Sequence, residues 1–187
     1  MFQGAGWYKF LSKFIGENYG VARQFAESYD GNRVVIGSIS FVADSAFISE
    51  ATSLPQIGEP WFKGKTLVAI DCNSFLKNEY KYPDWKDGIP TKWLRDEWHG
   101  SVEVIQKFIM CDFHFTRATI YLLRFLGHLA KVKQLNLVFF LHKSLIRMSR
   151  KIQSKPSLQH WHVFHKGLIK ILVSHYLSKL VGHGMNS

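Results

Sequence analysis

His162 and His165 stand three residues apart in His160-Trp161-His162-Val163-Phe164-His165, a spacing that puts two imidazoles on one side of a helix and suits a shared zinc ion. Nothing completes such a site. No Asp or Glu follows Asp112, and the nearest cysteine is Cys111. The histidines therefore read as structural. Cys111 and His114 have the separation of a thiolate and its base, but Cys111 follows Phe108-Ile109-Met110 and reads as a small core thiol. Two-metal phosphoryl transfer needs carboxylates gathered around a pair of divalent ions. Here Asp84 with Asp87, and Asp96 with Glu97, form local groups that suit solvated faces or helix caps, and Asp71 and Glu103 add no fixed geometry. The phosphate loop Gly-x-x-x-x-Gly-Lys is missing, as are Cys-x-x-Cys and His-Glu-x-x-His. The reading is of a non-enzyme with no catalytic residue, no metal and no cofactor.

Charge carries more information. The formal net charge is +10, and its distribution is lopsided. From Phe113 to Ser187 there are twelve Lys and Arg and not one acid, so the first 112 residues hold twelve bases against all fourteen acids. Such polarity points to a polyanionic or acidic partner. Two stretches give the cations a periodicity. With a helix from about Phe115 to Lys131, Arg117, Tyr121, Arg124, His128 and Lys131 fall in an arc of about 80°, opposite Leu122, Leu123, Phe125, Leu126 and Leu129. A second helix, about Leu137 to Ser154, puts Lys143, Arg147, Arg150 and Lys151 opposite Val138, Leu141, Leu145, Met148 and Ile152. Seven cations on neighbouring faces would neutralise phosphates regardless of base sequence. Tyr121 and His128 would add stacking on single strands.

The elements that must position these groups are mainly helical. Trp7, Phe10, Leu11 and Phe14 have helical spacing, and a helix from about Glu17 to Ser28 ends in the turn Tyr29-Asp30-Gly31-Asn32. Arg33-Val34-Val35-Ile36 and Ile39-Ser40-Phe41-Val42 flank Gly37-Ser38 and read as a β-hairpin. Asp44 or Ser45 caps a short helix through Ala51, whose apolar face is Phe47, Ile48 and Ala51; Leu54-Pro55 closes it. Residues 58–90 are irregular but rich in aromatics: Trp61, Phe62, Phe75, Tyr80, Tyr82 and Trp85. Another helix begins near Thr91, and Ser101 is expected to cap the next, through about Asp112. A last helix, about Leu158 to Leu180, turns Ile169, Leu172, Val173, Tyr176 and Leu180 inward and ends at Gly182 and Gly184.

The expected fold is an irregular helical bundle with a small N-terminal β-hairpin. It forms one domain over 187 residues: helices plus hairpin over 1–57, the aromatic segment over 58–90, and a basic bundle over 91–182. Two isolated cysteines, Cys72 and Cys111, favour a reducing compartment. No signal peptide is read at Met1 to Phe14, and the uncharged run between Lys155 and Lys166 is only ten residues, short of a membrane span. The expectation is an intracellular protein, nuclear or cytoplasmic.

Several strings of residues carry a resemblance. Phe25-Ala-Glu-Ser-Tyr-Asp-Gly31, Ile36-Gly-Ser-Ile-Ser-Phe41, and Ala51-Thr-Ser-Leu-Pro55 followed by Gly58-Glu-Pro-Trp-Phe-Lys63 resemble an uncharacterised domain of plant retrotransposon-associated and transposon proteins. Ile109-Met-Cys111, Gln134-Leu-Asn-Leu-Val-Phe-Phe-Leu141 and Phe164-His-Lys-Gly-Leu-Ile-Lys170 continue it, from about Phe25 to Leu180. The N-terminal part is also similar to the plant mobile domain. The resemblance implies plant origin and descent from a mobile element. It implies no activity and carries over no site residue.

The leading expectation is a retroelement-derived module that binds nucleic acid through Arg117, Tyr121, Arg124, His128, Lys131, Lys143, Arg147, Arg150 and Lys151. Competing readings are solvated faces of core-packed helices, an acidic-protein or anionic-membrane contact, or a relic without a role. A further alternative is a self-associating, gag-like scaffold whose contact surface is Trp61, Phe62, Trp85 and Trp93.

Overall fold

The computed structural model describes residues 19–60, 72–81, 88–106, 116–130, 135–154 and 163–184. Their order is α1 (Tyr19–Ser28), β1 (Arg33–Ile36), β2 (Ile39–Val42), α2 (Ser45–Thr52), a 3-10 turn Cys72–Phe75, β3 (Ile89–Pro90), a 3-10 turn Thr91–Trp93, α3 (Asp96–Val104), β4 (Arg117–Ala118), α4 (Ile120–Ala130), α5 (Leu137–Ser154) and α6 (Val163–Gly184). The fold is mainly helical with a small hairpin near the N-terminus, as the periodicity predicts.

Local chemistry accounts for the N-terminal part. In α1, Ala22, Phe25 and Ala26 recur at helical spacing and are buried, with Tyr29 just beyond the helix. The Asp30 carboxylate accepts the backbone N–H groups of Asn32 and Arg33 at 2.8 and 2.7 Å, and Gly31 takes φ 109°, so the chain reverses directly after α1. Those two bonds, Arg33's first, hold the Asp30 carboxyl below its ordinary range. β1 and β2 pair antiparallel, Arg33 with Val42 and Ile36 with Ile39, around Gly37 at φ 58°. Val34 and Phe41 point inward. Asp44 then caps α2, its side chain accepting the Phe47 N–H at 2.8 Å.

α5 and α6 each pack against both α1 and α2, and one buried apolar cluster runs from Ala22 to Leu172. α4 joins at Phe125, whose ring lies 5.7 Å from that of Phe140 in the first turn of α5. His142 of α5 stitches the halves together. Its Nε2 is 2.9 Å from the Gly31 carbonyl and its Nδ1 2.9 Å from the Ser45 hydroxyl. A carbonyl only accepts, so in the neutral ring Nε2 donates and Nδ1 accepts the Ser45 proton.

Tyr29 is the buried polar anchor of this region; its hydroxyl donates to the Ala43 carbonyl at 2.8 Å. Burial, with Asp30 and Asp44 adding repulsion, pushes its pKa well above the ordinary 10.0. The folded state therefore keeps the proton that an unfolded tyrosine loses. This contribution is intact below pH 10.0 and declines as pH rises above it. Tyr29→Phe is expected to destabilise by about 1–2 kcal/mol at neutral pH, because the Ala43 carbonyl loses its donor. It should also flatten the alkaline loss of stability. Urea midpoints at neutral pH and above pH 10.0 check both, and parallel pH profiles for the two proteins would refute the second.

Three predicted elements differ. The helix drawn from Phe115 starts at Ile120; Arg117 and Ala118 instead pair with Pro90 and Ile89 as a two-residue strand. Ser101 lies inside α3 and opens no new helix, because the backbone around it never turns extended as an N-cap must. Leu180 does not face inward: it is 47% exposed, on a part of α6 that runs past the core.

Candidate nucleic-acid interface

α5 is built as an amphipathic helix with a positive outer side. The Asn136 side chain accepts the Phe139 N–H at 2.9 Å and starts the helix. Leu137, Val138, Leu141, Leu145, Met148 and Ile152 are buried. Lys143, Arg147, Arg150 and Lys151 are all exposed and fall within about 100° on a helical wheel. From Lys143 to Lys151 the stripe is about 12 Å long at 1.5 Å per residue. With Ile146 and Ser154 these four line an open groove of about 500 Å³. Lys143 Nζ also sits 5.4 Å from the centre of the Phe139 ring.

Carboxylates among the described residues go elsewhere. Glu50 takes Lys179 at 2.6 Å and approaches His175 at 3.4 Å; the Lys179 hydrogen bond holds its carboxyl below the ordinary range. Asp96 pairs with Lys77 at 3.0 Å and Glu27 with Arg23 at 2.7 Å. Among the described residues, no acid pairs with the four cations of α5.

The stripe expected on the preceding helix does not form. α4 is buried on nearly all sides, through Leu122, Leu123, Phe125, Leu126 and His128. The His128 side chain is 7% exposed, with Nε2 3.0 Å from Glu59 Oε2 but off the hydrogen-bonding direction, so it offers no ring for base stacking. Arg117 belongs to β4, not to the helix, and its guanidinium donates to the Gly88 carbonyl at 3.2 Å. Tyr121 is exposed and Arg124 half-buried, one turn apart, and they are what is left of the stripe at the surface of α4 among the described residues. Lys131 lies outside the described residues. The candidate interface therefore contracts from two helices to α5, where Ile146 and Ser154 join it. Ser154 was legible in the sequence as a hydroxyl three residues after Lys151 and four after Arg150.

The other chemistry-bearing residues are scattered. No group of three or more His, Cys, Asp or Glu side chains converges among the described residues. Cys111, His114, His160, His162, Asp71, Asp84 and Asp87 lie outside them. Asp96 and Glu97 occupy the first turn of α3, where negative charge suits the helix dipole. Of the aromatics in the scaffold reading, Trp93 is half-buried and stacks flat on Tyr80, 4.5 Å away and 5° from parallel; Trp61, Phe62 and Trp85 lie outside the described residues. Among those described, no helix is long and apolar enough to cross a membrane.

Compared with protein-family models, curated proteins and solved structures, the chain matches none.

Proposed function

We propose that this chain is a non-enzymatic, intracellular module, descended from a plant mobile element, that binds nucleic acid through the outer face of α5. One observation carries the reading: Lys143, Arg147, Arg150 and Lys151 line a single groove, exposed, with no acid among the described residues pairing with them. Four cations about 12 Å end to end match a run of backbone phosphates, and contact with phosphate gives affinity without base specificity. The resemblance of the sequence to retrotransposon-associated domains is in keeping with a nucleic-acid partner.

Four phosphate contacts predict a log–log salt slope of about −3.6 on duplex DNA, or a weakening of about 150-fold between 50 and 200 mM salt. Arg147→Glu with Arg150→Glu should reduce affinity about a hundredfold at about 100 mM salt. The control is Arg33→Glu with Lys92→Glu, two exposed sites off α5 that change net charge equally; it should stay within about threefold of wild type. Fluorescence anisotropy with duplex DNA and with single-stranded RNA reads all three proteins. Equal losses in the two variants would reduce the interface to net charge, and an absence of wild-type binding at low salt would remove it.

A second reading has its own observation. Leu177, Leu180 and Val181 leave an apolar, exposed end on α6, with Val181 58% exposed. Self-association there predicts a mass that rises with concentration in sedimentation and falls to monomer in Leu180→Lys.

A further inference from the structure

We infer that Ser154 is a phosphorylation site that switches off the anion affinity of α5, an inference that rests on the proposed binding face. Three serines of α5 lie among basic residues, and burial separates them. Ser149, between Met148 and Arg150, is 0% exposed and out of reach of any enzyme. Ser144 is half-buried beside Lys143. Ser154 is exposed, is the last residue of the helix, and lines the same groove as the four cations.

Its position also suits a modifying enzyme. Arg150 and Lys151 precede it by four and three residues, the charge pattern that an acidic peptide cleft of a serine kinase would take up. Kinases bind extended chain, and Ser154, at the helix terminus, is presented when the final turn opens together with the end of α1, to which Gln153 ties it. In the transfer, Ser154 Oγ attacks the γ-phosphorus of a nucleoside triphosphate. The new O–P bond forms as the bond to the β-phosphate oxygen breaks; nucleoside diphosphate leaves and the hydroxyl proton passes to the kinase's base.

The consequence follows from charge and helix geometry. In the unmodified helix Ser154 Oγ donates to the Lys151 carbonyl at 2.9 Å, closing a last-turn carbonyl. A phosphoserine has no such proton to give and carries about −1.5 to −2 charges. Residues three and four positions apart are neighbours on a helix, so the phosphate meets Lys151 and Arg150 and occupies two of the four cations. Negative charge at a helix C-terminus also opposes the dipole and loosens that turn. The groove then presents about two free cations in place of four, which halves the salt slope to about −1.8.

The test uses the full chain, a purified serine kinase of basic-peptide preference, and a duplex-DNA column, with Ser154→Ala alongside. Mass spectrometry should place one phosphate on Ser154 of the folded wild type and none on Ser154→Ala at that position. The modified wild type should lose at least about tenfold in affinity at about 100 mM salt and show the shallower slope, while kinase treatment should leave Ser154→Ala binding as its own untreated sample does. Phosphate found at Ser154 only after denaturation overturns the site. Phosphate at Ser154 of a protein that binds DNA unchanged overturns the switch. If the untreated wild type does not bind, the proposed function itself fails and takes the switch with it; the mass spectrum still decides the site.

Discussion

Gly88→Ala is expected to destabilise the protein by about 3–5 kcal/mol, far more than the same change at Gly31, Gly37 or Gly100. Two independent penalties meet there. Gly88 has φ 79°, a left-handed conformation that costs an L-residue about 1–2 kcal/mol. A Cβ at Gly88 would also lie 2.4 Å from the Ala118 carbonyl oxygen and 3.0 Å from the Thr119 Cα. Both are backbone atoms, so no side-chain rotation relieves the overlap. The displaced segment is β4, which pairs with β3, and the entry to α4, where the Thr119 hydroxyl accepts the Leu122 N–H. Gly37→Ala is the control. Gly37 shares the positive φ, at 58°, but nothing lies within 4 Å of its added methyl, and about 1 kcal/mol is expected. Urea unfolding of the pair separates the close approach from the conformational penalty; equal shifts in midpoint would mean that Ala118 yields freely.

Phe25→Ala is expected to cost about 3–5 kcal/mol. The ring is fully buried, 5.1 Å from that of Tyr29, on the face of α1 that meets α5 and β1. Truncation leaves a cavity that backbone anchored on two sides cannot close, and the Tyr29 ring loses its neighbour. Val35→Ala, an exposed position on the adjacent strand, should stay within about 0.5 kcal/mol. Calorimetric midpoints of the two variants check the contrast. A loss below about 1 kcal/mol for Phe25→Ala would show that the core repacks around the gap.

What the sequence revealed of this fold was what short stretches determine on their own. The hairpin followed from β-branched runs around Gly37-Ser38, the α2 cap from Asp44, and α5 from an apolar stripe with one buried side. Contacts between distant residues left no local trace. β3 and β4 are two residues each and pair across a separation of nearly thirty, and one member is Pro90, a poor strand former. His128 looked like part of a solvent stripe because a helical wheel assumes one buried side. α4 is enclosed almost all round, and the partner of His128 is Glu59, from the opposite charge half of the chain. The same exchange takes Lys179 to Glu50. Through the Lys179–Glu50 pair the acid-poor half is partly neutralised by the first 112 residues, and among the described residues no such pair is seen on α5.

Gln153 gives the outer face of α5 its fixed bearing. Its side-chain Nε2 reaches the carbonyls of Ala26, Glu27 and Tyr29 at 3.2, 3.2 and 3.1 Å, closing the end of α1 from the last turn of α5. The two helix ends, more than a hundred residues apart in the chain, therefore open as one cooperative unit. Amide hydrogens near the end of α1 and those around Arg150 and Lys151 should trade with deuterium at matched rates, and a single Gln153→Ala change should release both together.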